Sequence, residues 1–146
     1  MGETAAFTDI DGGNGDSLYA QNAALPQAGT LQSLSFYVAA VSGDLRLGIY
    51  DASGAGGGPG QLLAQTGAFT PKLGWNTQVV TPAALPVGNY WLAYTPSSGN
   101  LNFPVERDHG LCTGAGRIFA PMPPTFPATS GSGQCHWSFY ATLSVP

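Results

Sequence analysis

The chain of 146 residues is read as one domain over 1–146, long enough to bury about two thirds of its unfolded surface and fold unaided. Hydrophobic residues make up 43% but charged residues only 8%, against about 25% in an ordinary soluble domain, so solubility rests on Ser, Thr, Asn, Gln and backbone. A net charge of −4, with four basic residues scattered at Arg46, Lys72, Arg107 and Arg117, gives no basic stripe and excludes nucleic acid as an expected partner; no apolar run nears the ~18 residues of a membrane span.

From the amino terminus, no basic region is followed by an apolar one, and the opening Met1-Gly2 reads as a cloning remnant on an excised module. Gly2 to Phe7 is expected as an edge strand, Asp9 to Asp16 as a turn-rich acidic loop, and Ser17 to Leu25 as a strand stopped by Pro26. Thr30 to Asp51 then alternates twice. Leu34, Phe36 and Val38 interleave with Ser33, Ser35 and Tyr37; after Ser42-Gly43-Asp44, Leu45, Leu47 and Ile49 interleave with Arg46, Gly48 and Tyr50. This pattern predicts an antiparallel hairpin with one dry face and a wet face carrying Tyr37, Arg46 and Tyr50.

Ala52 to Gly60 is too glycine-rich for regular structure and is expected as a flexible loop. Further strands are predicted at Leu62 to Ala64, at Gly74 to Val80 (ended by Pro82) and at Tyr90 to Tyr94, with a short one at Leu101 to Phe103. The segment from there to Gln134 reads mostly as loop, and His136 to Leu143 as the last strand. About eight strands without helical periodicity predict an all-β fold, an antiparallel β-sandwich.

The runs Ser33 to Val38, Leu45 to Asp51, Pro59 to Thr66, Gly74 to Thr77 and Gly88 to Ala93 together resemble jelly-roll-like β-sandwich modules of bacterial extracellular proteins. Such modules stand beside polysaccharide-degrading enzymes and are similar to carbohydrate-binding modules. The resemblance spans about residues 17 to 95, and Trp137 to Leu143 fits it too. It implies a secreted, noncatalytic module that holds an associated enzyme to a polysaccharide of the plant-type β-glucan class. No binding residue transfers by motif, so the site is argued from side-chain direction.

Strand parity puts Tyr90, Leu92 and Tyr94 on one side and Trp91 and Ala93 on the other. Leu92 joins Leu47 and Ile49, so Trp91 points outward and, with Tyr50 and Tyr37, is expected to form a flat aromatic shelf with Arg46 at its margin. Pyranose C–H faces pack on such rings at about 1 kcal/mol each. The same parity puts Trp137, Phe139 and Leu143 inside and His136, Ser138 and Tyr140 outside, and leaves Trp75 ambiguous. Asp9, Asp11, Asn14 and Asp16 have alternate oxygens suited to a structural Ca²⁺, which modules of the resembled kind often hold; an Asx-rich turn is the alternative.

Cys112 and Cys135 have no CxxC and no second pair, which argues against a metal-thiolate site. They read as a disulfide worth roughly 3 kcal/mol and as a sign of an oxidising compartment, or else as two unpaired thiols. Catalysis is not expected. Only Glu3 and Glu106 are glutamates, Glu106-Arg107-Asp108-His109 reads as a self-paired surface loop, and no GxSxG or HExxH appears. The competing function is a structural or adhesion module, of cell-surface or phage-fibre type, whose aromatics meet protein.

Overall fold

Residues that alternate every second position can bury one face only as strands, and a chain of such segments closes by stacking sheets. A computed structural model describes residues 1–146 as ten strands: β1 (Asp9–Asp11), β2 (Ser17–Leu25), β3 (Gly29–Val38), β4 (Leu45–Asp51), β5 (Leu62–Gln65), β6 (Gly74–Leu85), β7 (Gly88–Pro96), β8 (Phe103–Gly116), β9 (Gly131–Trp137) and β10 (Phe139–Ser144). Seven form one sheet in the order β1-β8-β2-β7-β4-β5, with β9 also on β8; β10-β3-β6 form the other. Every pairing is antiparallel. The pairs β4·β5, β3·β6 and β2·β7 are nested, so β2 to β7 is one long hairpin rolled across both sheets, and β4 pairing with β7 closes the roll. This winding is jelly-roll-like, as expected.

The expected hairpin at Thr30 to Asp51 is not one. β3 and β4 lie in different sheets, and Ala39 to Asp44 crosses between them. The alternation was real, but the two dry faces meet across the core instead of lying side by side. Residues 104–116 and 131–134, read mostly as loop, belong to the paired strands β8 and β9, and the last strand expected at His136 to Leu143 is divided at Ser138 between β9 and β10. β6 runs on through Pro82. It is an edge strand, and its register jumps from Leu31↔Ala83 to Ser33↔Val79 there, so Pro82 interrupts no ladder bond. In place of an edge strand at residues 2–7 there is a single bridge, Gly2 to Tyr140. Met1 packs against the core and its carbonyl accepts Ala141 N–H, so the residues expected as a remnant are knitted into the fold.

Between the sheets Phe36 sits 5.0–5.3 Å from the rings of Tyr94, Phe103 and Phe139, tilted or edge-on to each. Pairs of this kind add about 0.5–1.5 kcal/mol each beyond area burial. Leu34, Leu47, Ile49, Leu92 and Trp137 complete the layer. Cys112 and Cys135 form the disulfide, linking β8 to β9. No helix is long and apolar enough to cross a membrane.

At Ser138 the chain leaves the large sheet and enters the small one, its N–H still donating to Pro104 O on β8 while its carbonyl already accepts Tyr37 N–H on β3. Gln21, fully buried on β2, bonds the residues on either side: its Oε1 accepts Trp137 N–H at 2.7 Å, and its Nε2 donates to the carbonyls of Trp137 and Phe139 at 3.3 and 3.4 Å, the latter also accepting Glu3 N–H at 2.8 Å. Gln21→Met keeps the volume but orphans the Trp137 amide, an unpaired buried group costing about 1–3 kcal/mol. The expected result is a lower urea midpoint with unchanged slope; an unmoved midpoint refutes this role for Gln21.

Candidate functional site

The outer face of the large sheet carries the side chains that parity turns away from the core. Leu18 and Ala20 on β2, Tyr50 on β4, and Trp91 and Ala93 on β7 lie there. That face is covered. The segment from Arg117 to Ser130 crosses it, adding Met122 and Phe126 to form a second buried cluster. Gly48 on β4 makes the close approach possible, since a Cβ there would overlap the Met122 sulfur. Tyr50 O–H donates to Pro123 O at 2.7 Å, and its ring stands edge-on to Phe126 at 5.1 Å. Burial holds its phenol well above the ordinary range, against a smaller opposing pull from Arg117.

The expected shelf of Trp91, Tyr50 and Tyr37 with Arg46 is therefore divided. Direction was right for Trp91 and Tyr50, but Trp91 is only 7% exposed and Tyr50 is fully buried, because the segment covers Tyr50 and the glycine loop lies over Trp91. Arg46 is half-buried under the same segment, its guanidinium 5.2 Å from the Phe119 ring centroid and its Nε without a partner. Tyr37 is on β3, in the other sheet. The missed signal was legible: Phe119, Met122 and Phe126 lie in a proline-rich stretch with no alternation, and they pack on Arg46 and on the outer face of the sheet.

The cover stops short of Trp91. Between the loop Ser53 to Gln61, the stretch Thr125 to Thr129 and the β8–β9 hairpin opens a groove of about 740 Å³. Trp91 forms part of its wall and donates from Nε1 to Gly57 O at 2.9 Å, pinning the glycine loop over the indole. Leu111, 50% exposed on β8, stands on the hairpin side. None of the twenty lining residues is ionisable. The loop is anchored by Asp51, whose Oδ1 accepts Ser53 N–H at 3.1 Å and Gln61 N–H at 2.8 Å as well as the Ser53 hydroxyl. Burial alone would raise this carboxyl, but those hydrogen bonds outweigh it and hold it below the ordinary value.

The outer face of the small sheet carries a second aromatic group. Tyr37 and Trp75 are cross-strand partners on β3 and β6, and Tyr140 stands on β10. All three are half-buried. Trp75 lies 5.4 Å from Tyr37 at 89° and 5.0 Å from Tyr140 at 66°, and Ser35 between the outer strands is buried with its hydroxyl 2.8 Å from that of Thr77. Trp75 thus shares the outer face with Thr77 and with Val79, which is 83% exposed.

The acidic loop spends its oxygens on the fold. Asp11 accepts from Gly12 N–H at 2.8 Å, from Asn14 Nδ2 at 3.2 Å and from Trp137 Nε1 at 2.9 Å. Asn14 also donates to Tyr94 O–H at 3.0 Å, Asp16 accepts Phe119 N–H at 3.0 Å, and Asp9 is exposed on β1. Asp9, Asp11 and Asp16 do not converge; the ligand-type group that does is Glu3, His109 and His136, with ligand atoms within 4.8 Å of one another. His136, expected on the surface, is buried, and His109 reaches Glu3 instead of its own sequence neighbours. Comparison with family models, with curated proteins and with solved structures finds no match for the chain.

Of the three tryptophans, Trp91 and Trp137 are buried and Trp75 is half-buried. Iodide is expected to quench part of the native fluorescence, and Trp75→Phe to remove that part; quenching that survives contradicts the placement. For Asp51, a carboxyl lowered on folding contributes stability that is full above its unfolded value and lost as pH falls through the folded one. Acidification below the ordinary 3.8 should therefore release the glycine loop, seen as faster exchange at Gln61 N–H relative to strand amides. Exchange at Gln61 that merely tracks the strands rules out the anchor.

Proposed function

We propose that this is a noncatalytic module that binds an uncharged polysaccharide, of the plant-type β-glucan class, in the groove beside Trp91. The observation that carries the reading is the lining: a cleft of about 740 Å³ with no ionisable residue, with large apolar side chains at Trp91, Leu111 and Phe126, smaller ones from alanine, proline and the disulfide, and for the rest hydroxyl, amide and main chain. The volume falls within the range of about 300–1,000 Å³ typical of ligand clefts. A neutral sugar chain offers the complement, with C–H faces for the apolar walls and hydroxyls for the polar groups; an anionic ligand would meet no countercharge.

The rings of Tyr37, Trp75 and Tyr140 are the competing surface. Their mutual angles of 89° and 66° keep them from lying together against the plane of one sugar, which favours the groove. The disulfide accords with a secreted protein, and the site with a module that positions a larger secreted enzyme on its substrate.

Affinity electrophoresis in soluble β-glucan tests the proposal. Retardation is expected, and Leu111→Glu should lose it, with binding weakened about tenfold or more for a contact worth about 1.4 kcal/mol and with melting unchanged. Loss with Trp75→Ala instead would move the site to the small sheet. Free migration in β-glucan, xylan and mannan alike would leave the structural or adhesion reading standing.

A further inference from the structure

β8 departs from its partner between Arg107 and Cys112. Its residues 108–111 face the single residue Gln134 of β9, so the strand bulges away from the sheet. Asp108 and Gly110 hold the bulge with φ of 62° and 69°. Gly110 is required twice over, because a Cβ there would overlap the His136 imidazole. The bulge carries His109 back toward Glu3, whose Oε1 lies 3.3 Å from His109 Nε2 and 3.1 Å from His136 Nδ1.

Hydrogen bonding fixes which nitrogen of His136 bears its proton. Asn22 Oδ1 accepts Leu111 N–H at 2.9 Å, which identifies that atom as the amide oxygen and not the nitrogen. His136 Nε2 is 2.6 Å from the same oxygen and so must donate to it. In the neutral ring Nδ1 is then a bare lone pair, and it faces a carboxylate oxygen. Two electron-rich atoms stay at 3.1 Å only with a cation between them. A proton on Nδ1 would serve that one contact; a metal ion serves His109 as well.

We propose that Glu3, His109 and His136 bind a divalent transition metal, Zn²⁺ being the best match, through Glu3 Oε1, His109 Nε2 and His136 Nδ1. Two imidazoles and one carboxylate are a zinc ligand set. Tetrahedral bonds of about 2.0–2.1 Å place ligand atoms about 3.3 Å apart; the two carboxylate–imidazole separations are 3.3 and 3.1 Å, and all three ligand atoms lie within 4.8 Å, so a small closing movement of the exposed His109 completes the set. Asn22 orients His136 from its far nitrogen, the usual support for a ligating histidine. The His109 side chain, 48% exposed, gives the ion access and leaves a coordination position to solvent. The ion ties the segment at Glu3 to the β8–β9 hairpin.

The test is calorimetric titration of Zn²⁺ into EDTA-treated, dialysed protein, with thermal melting alongside. One Zn²⁺ per chain is expected, with a melting temperature that rises to saturation at that ratio and falls back on chelation. His109→Ala and Glu3→Gln should each weaken binding by more than the roughly 100-fold that loss of an orienting partner can cost, while the metal-free melting temperature of His109→Ala stays at the parent value. Absence of saturable binding overturns the site, and so does one-to-one binding that both variants retain.

Discussion

The fold depends on keeping backbone polar groups paired where the chain changes sheets. At Ser138 the chain switches sheets between two fully or nearly buried aromatic residues, Trp137 and Phe139. Main chain pairs Ser138 on both sides, to Pro104 and Tyr37, and the buried amide of Gln21 takes the Trp137 N–H. The β3-to-β4 crossing uses main chain for the same purpose: Ala39 and Ala40 N–H donate to Asn102 O, and Asn102 N–H donates to Ala40 O. A nonpolar residue at position 21 would pack as well but leave the Trp137 amide dry and unbonded, and a few such groups would use up most of the margin of a small domain.

Much of this was legible in the sequence, within a clear physical boundary. A period of two states which face a residue occupies, and it placed Leu34, Phe36, Leu47, Ile49, Tyr90, Leu92, Tyr94 and Trp137 in the core. It says nothing about which strand lies alongside. Ser42-Gly43-Asp44 has the composition of a hairpin turn, yet it tips a crossover, with Asp44 N–H donating to Ser97 Oγ and Ser42 Oγ 2.7 Å from Ser98 Oγ. β8 escaped notice because Glu106 to Gly110 breaks the alternation, and that break is the bulge itself. Side-chain direction was thus readable at Trp91 and Tyr50, whereas exposure depended on a segment without periodicity.

The two outer faces owe their different character to that segment. On the small sheet nothing crosses the strands, so Tyr37, Trp75 and Tyr140 shield one another and bury Ser35 between them. On the large sheet the Arg117–Ser130 segment buries most of the equivalent surface, and where it ends the glycine loop and the hairpin wall in a cleft. A flat sheet face becomes concave only by such additions. The absence of charge along the cleft continues the composition of the whole chain, in which only 8% of residues are charged.

The bulge joins features that seem unrelated along the chain. Cys112 follows it on β8 and Cys135 lies beside it on β9, so the disulfide fixes both of its flanks. His109 lies within it, and His136 is next to Cys135. Leu111 is the hinge between two sites: its N–H is held by Asn22, the residue that also accepts from His136, while its side chain lines the groove. A shift of the bulge by even a fraction of an ångström would be felt at both, because packed interiors pass displacement on instead of absorbing it. Cross-linking the hairpin is therefore worth more here than the entropy of a closed loop, since it preserves the geometry of the imidazole cluster and of the cleft wall together.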